Sequence, residues 1–93
     1  MTKYEMLYII DASLSDEAKE ALIKKFEDLV SGNGGVVEKT DRWGLKKLQY
    51  PINYKNEGYY VLMSFEAEKT LVVELKRVVG ITDGIIRRLI TLR

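Results

Sequence analysis

Two stretches of this 93-residue chain each carry a single apolar stripe at helical spacing. In the first, Ala18, Leu22, Phe26, Leu29 and Val30 fall on one side of a helix, with Lys19, Glu20, Lys24, Lys25, Glu27 and Asp28 mostly on the other faces. In the second, Leu71, Val72, Leu75, Val78 and Val79 repeat the pattern. A helix with one stripe must bury it against a layer that it does not itself provide. Ser13 or Ser15 is placed to cap the first helix, with Asp16 and Glu17 where the dipole favours acid. Ser31-Gly-Asn-Gly-Gly ends it at about Val30, its glycines suiting a left-handed cap and a turn. Lys69-Thr70 opens the second helix, with Thr70 as its cap, and Gly80 stops it.

The remaining segments read as strands. Tyr4–Ile10 is rich in Tyr, Ile and Leu and too short for a helix. Val36–Asn53 has no helical period and reads as one long strand, bent or bulged near Gly44. Its charges and Pro51 suit a sheet edge. Tyr54–Gly58 reads as a polar turn. Tyr59–Ala67 is the clearest strand, with Val61, Met63, Phe65 and Ala67 on one face and Tyr60, Leu62, Ser64 and Glu66 on the other. Both faces carry apolar residues, as in a central strand. Thr82-Asp83-Gly84 is a turn, and Ile85–Leu92 closes the chain as a strand split by Arg87 and Arg88.

The order is therefore β-α-β-β-α-β within one domain, residues 1–93. Right-handed crossovers give an α+β fold of the ferredoxin-like (split β-α-β) type: a four-stranded antiparallel sheet with both helices on one face. The first and third strands are central and the second and fourth are edges. No helix is left to cover the other face.

Composition narrows the chemistry. There is no cysteine and no histidine, which removes disulfides, thiolate metal sites and the commonest general base. Fifteen Lys and Arg against fourteen Asp and Glu leave a net charge of +1, so bulk charge does not call for nucleic acid or membrane. The apolar runs, such as Met6–Ile10, are too short to cross a bilayer. The acidic residue in Met-Thr-Lys-Tyr-Glu interrupts what a signal peptide would need. The expectation is a soluble, intracellular protein with no metal, cofactor or small-molecule substrate, and not an enzyme. Asp11 follows the first strand, a common catalytic position, but no paired acid or base is near it in sequence, and it reads as a turn cap. Ser31–Gly35 follows a helix instead of preceding one, so it is not a phosphate-binding loop.

Two surfaces stand out. The uncovered sheet face should show Tyr60, Leu62, Ser64 and Glu66, with Glu5, Leu7 and Ile9 from the first strand. Such a face usually meets a partner, and Leu7, Ile9, Trp43, Tyr50, Tyr60 and Leu62 are the candidate partner-binding residues. The second is basic. Arg42, Lys46 and Lys47 lie along the second strand with Trp43 and Tyr50 among them; Arg87 and Arg88 lie on the fourth; Lys3 and Arg93 are near the ends. Basic residues grip phosphates, Arg bidentately; on the bland reading they only guard sheet edges. Glu57-Gly-Tyr-Tyr-Val61 sits where an RNA-recognition motif keeps its stacking aromatics, but acid replaces its leading basic residue.

Three segments carry a resemblance. Lys3-Tyr4-Glu5, Gly44-Leu-Lys-Lys-Leu-Gln-Tyr-Pro-Ile52 with the following Gly58-Tyr59-Tyr60, and Asp83-Gly-Ile-Ile-Arg-Arg-Leu-Ile90 resemble the S-six family of bacterial small-subunit ribosomal proteins. The likeness covers the whole chain in the same element order. It implies a ferredoxin-like fold, no catalysis, a cytoplasmic, ribosomal location, and binding to 16S ribosomal RNA in the central domain of the small subunit. It further implies a heterodimer with ribosomal protein S-eighteen. Arg87 matches the family's arginine in the last strand and Lys46-Lys47 its basic pair; Arg42 matches no family motif. It thereby favours Arg42, Lys46, Lys47, Arg87 and Arg88 as contacts to RNA or partner. The competing reading, from the open face and glycine-rich turn, is a small metabolite-binding regulatory domain of the same fold.

Overall fold

The chain runs β1 (Thr2–Asp11), α1 (Asp16–Ser31), β2 (Val36–Ile52), β3 (Lys55–Ala67), α2 (Lys69–Ile81) and β4 (Ile85–Leu92). The structure, a computed structural model, describes the backbone of residues 2–52 and 55–93 and the side chains of residues 2–47 and 57–93. The sheet order is β2-β3-β1-β4, every neighbouring pair antiparallel. The two β-α-β crossovers thus place β1 and β3 in the centre and leave β2 and β4 as edges, the split β-α-β, ferredoxin-like arrangement.

The core lies between the sheet and the helices. Met6, Tyr8 and Ile10 of β1 and Val61, Met63, Phe65 and Ala67 of β3 face Ile23, Phe26 and Val30 of α1 and Leu71, Leu75 and Val79 of α2. Tyr8 meets Phe26 edge to face at 5.2 Å, and Tyr4 stacks on Phe65 at 5.8 Å. The Tyr8 hydroxyl is buried without a hydrogen-bond partner among the described residues. Desolvation, helped by the nearby Glu27 carboxylate, pushes its ionisation far above the ordinary phenol range, so it stays neutral in the core.

Local chemistry explains the element ends. The Ser15 hydroxyl accepts a hydrogen bond from the Ala18 amide and caps α1. Asp11 receives the Ser13 amide and hydroxyl, closing the turn before it. After α1 the left-handed residue is Gly34, at φ +89°, while Gly32 remains right-handed. Gly44 has φ +86° where β2 slips register between Arg42 and Gly44. A side chain at that φ is strained, so the glycine permits the bulge.

Four local readings are corrected. Lys19 is only 6% exposed: its stem lies in the helix-sheet layer, with the ammonium 5.1 Å from the centre of the Tyr59 ring and 3.8 Å from Asp16. A long aliphatic stem can be buried while its charge stays paired. Thr70 is not the cap of α2. Glu68 takes that position through its backbone carbonyl, which accepts the Leu71 and Val72 amides. Gly80 does not stop α2, which continues to Ile81; instead, a β-carbon there would come within 3.2 Å of the Arg88 guanidinium. The polar stretch after β2 is mostly strand, because Lys55 already pairs with Ile52. Asn53 and Tyr54 lie outside the described residues.

Phe26 and Phe65 are both fully buried between the layers. Phe26→Ala and Phe65→Ala are each expected to cost about 3–5 kcal/mol in urea unfolding, through lost burial and the cavity left behind. A loss below about 1 kcal/mol would contradict the packing described here.

Candidate nucleic-acid and protein interface

Residues directly opposite each other in an antiparallel pair share a face of the sheet. Leu7 lies opposite Leu62 of β3 and Leu89 of β4, and Ile9 lies opposite Tyr60 and Arg87. These two rows cross the centre of the face that no helix covers. β2 extends it: Trp43 stacks on Tyr60 with centroids 6.4 Å apart and planes 7° from parallel. The Lys46 ammonium sits 5.1 Å from the centre of the Trp43 ring, a cation-π contact. Between β1 and β4 the surface dips into a depression of about 250 Å³ lined by Leu7, Ile9, Tyr60, Arg87, Arg88 and Leu89.

Exposure within this patch is uneven. Trp43 is 44% and Leu89 55% exposed, whereas Ile9 is only 6% exposed and forms its floor. Leu7, Tyr60 and Leu62 are half-buried. Leu89 was not among the candidates drawn from sequence. Alternation from Arg87 through Leu89 to Thr91 puts it on this face, but only the β1–β4 register shows that it borders Leu7. The side chain of Tyr50 lies outside the described residues.

The basic residues do not form one cluster. Lys46 pairs opposite Gly58, on the side of Tyr60, while Lys47 pairs opposite Glu57 and points to the other side. Arg87 lies opposite Ile9 on the open face, and Arg88 lies opposite Tyr8 on the helix face. Each consecutive pair is thus divided by the pleat. Arg42 also lies on the helix side, opposite Val61. Its guanidinium donates two hydrogen bonds of 2.8 Å to the Glu20 carboxylate of α1. That fork holds the Glu20 carboxyl below its usual range and raises the already high ionisation of Arg42. Lys3 lies 3.7 Å from Glu66 and 4.0 Å from Glu38, and Arg93 also pairs with Glu38. Among the candidate cations, Lys46, Lys47, Arg87 and Arg88 have no carboxylate within salt-bridge distance among the described residues.

The described residues contain no group of three or more His, Cys, Asp or Glu arranged to hold a metal ion. None of the described helices is long and apolar enough to cross a membrane.

Comparison with known proteins gives a consistent picture. Residues 3–91 match the family model described as Ribosomal protein S6. The small ribosomal subunit protein bS6 of Clostridium novyi is 52% identical over 87 residues, 94% of this chain and 92% of that protein. The bS6 protein of Thermoanaerobacter pseudethanolicus is 47% identical over 90 residues, 97% of this chain and 95% of its own. Among solved structures, 30S ribosomal protein S6 from Thermotoga maritima superposes with a TM-score of 0.93 at 28% identity, covering 99% of this chain and 87% of that one.

The Glu20–Arg42 pair ties α1 to β2, and its pH dependence has a definite sign. The Glu20 carboxyl is lowered by folding, so its contribution is present above the unfolded value and is lost as pH falls through the folded one. Glu20→Gln should lower the urea midpoint slightly at neutral pH, with the difference closing under acid and shrinking in high salt. Urea melts across a pH series in low and high salt measure this. A gap that widens in acid would contradict the assignment.

Proposed function

The chain belongs to the ribosomal protein S6 family of the bacterial small subunit, and on that premise we propose that it binds 16S ribosomal RNA jointly with a partner protein, ribosomal protein S-eighteen. Members of the family are structural parts of the cytoplasmic ribosome, not enzymes. The proposed site of binding is the central domain of the subunit.

One observation carries the proposal: the uncovered face combines an apolar centre with two cations at its margins that have no carboxylate within salt-bridge distance among the described residues. Leu7, Leu62, Leu89 and the Tyr60–Trp43 pair supply the centre. Lys46 and Arg87 supply the margins. Burying such a centre against a protein is favourable at roughly 25 cal/mol per Å² of apolar surface, and the two cations then sit where RNA phosphates can approach beside that protein. With a net charge of +1, the chain alone has little electrostatic affinity for RNA, since affinity follows the number of phosphates neutralised. A basic partner on the same face supplies what is missing. Arg42, Lys3 and Arg93 are already engaged with carboxylates and are secondary contacts on this reading.

The pleat makes the test specific. With a 16S central-domain fragment and S-eighteen, Lys46→Gln and Arg87→Gln should each weaken assembly and lower the salt slope by about 0.9. Lys47→Gln and Arg88→Gln, on the opposite face, should leave the slope unchanged. Equal losses from all four would overturn the placement on the open face. An unchanged slope in all four, with new oligomers of the free variants in ultracentrifugation, would reduce the charges to edge protection.

A further inference from the structure

The two sheet edges are built differently. β2 slips register at three places along its length, which deters another strand from pairing. β4 is regular from Arg87 to Leu92, its one slip lying before Arg87, opposite Ile9 and Ile10. It pairs with β1 on one side only, so alternate residues aim their backbone N–H and C=O groups away from the sheet. An apolar side chain is exposed on each face of this edge: Leu89 on the open face, 55% exposed, and Leu92 on the helix face, 69% exposed. Arg88 also lies on the helix face, with its guanidinium against Gly80 of α2 in space that a β-carbon would crowd. That guanidinium has no carboxylate within salt-bridge distance among the described residues.

We infer that the β4 edge, from Arg87 to Leu92, takes an extended segment of a partner polypeptide as a fifth, antiparallel strand. The segment's chemistry follows from alternation. Apolar residues lie opposite Leu92 and Leu89, and a carboxylate lies opposite Arg88. Main-chain hydrogen bonds supply most of the affinity and the side chains supply register, as in other strand additions. The inference rests on the strand edge and does not depend on the RNA-binding reading.

The probe is a blocked hexapeptide, Val-Thr-Val-Leu-Glu-Thr, which in antiparallel register sets its Glu opposite Arg88 and its Leu opposite Leu89. Titrated into the full chain, it should shift the amide resonances of Arg87–Leu92 and slow hydrogen exchange at the outward-facing amides of β4. Replacing its Glu by Lys should weaken binding by about two- to fivefold, the worth of an exposed ion pair. Arg88→Glu should reverse that preference; the peptide swap on the unmodified chain serves as the test if this variant fails to fold. Three results would overturn the inference: no shifts at millimolar peptide, shifts centred on β2 or on Leu7 and Leu62, or concentration-dependent pairing of two copies through β4 in place of peptide binding.

Discussion

Two helices with one apolar stripe each can cover only one face of a four-stranded sheet, and most of the structure follows from that shortage. The buried stripes of α1 and α2 call for an apolar face on β1 and β3, which Met6, Tyr8, Ile10, Val61, Met63, Phe65 and Ala67 provide. The same two central strands nevertheless carry Leu7, Ile9, Tyr60 and Leu62 on the side without helices. Those residues are not needed to hold α1 or α2 in place. On the proposed reading, that surplus of apolar side chains is what suits the face to a partner.

The pleat decides which charges act together. Lys46-Lys47 and Arg87-Arg88 look like basic clusters in sequence, yet neighbouring strand residues point to opposite faces. Lys46 and Arg87 flank the aromatic and aliphatic centre; Lys47 and Arg88 face away from it. A consecutive basic pair in a strand therefore puts one cation on each face.

Alternation and helical period were enough to read the architecture, the central and edge strands, the bulge at Gly44 and the composition of the open face. What escaped were features set by contacts across elements. Lys19 reads as solvated because charge normally is, and only the Tyr59 ring and Asp16 explain its burial. Gly80 reads as a helix stop, whereas α2 runs past it and the Arg88 guanidinium, from a strand that follows in the chain, lies against it. Leu89 became part of the patch only through the register of β4 against β1. The Glu20–Arg42 fork joins residues from α1 and β2 that no local pattern connects. The recognisable basic residues were legible as types, but their division between faces and their carboxylate partners were not.

That division bears on how a nearly neutral protein contributes to an RNA assembly. Arg42, Arg77, Arg93, Lys3 and Lys39 all lie within salt-bridge distance of acidic side chains. Exposed pairs of this kind add little stability, but they lower the long-range positive field that would otherwise draw the free chain to any RNA. On the proposed reading, Lys46 and Arg87 are left available on one face, beside a surface that favours protein. Neither cation alone gives useful affinity for RNA. Placed at the margin of a protein contact, each phosphate bond forms at the high effective concentration that the first contact creates. Selectivity on this reading comes from requiring both partners at once, and the pairing of Arg42, Arg77, Arg93, Lys3 and Lys39 with acidic side chains strengthens that requirement.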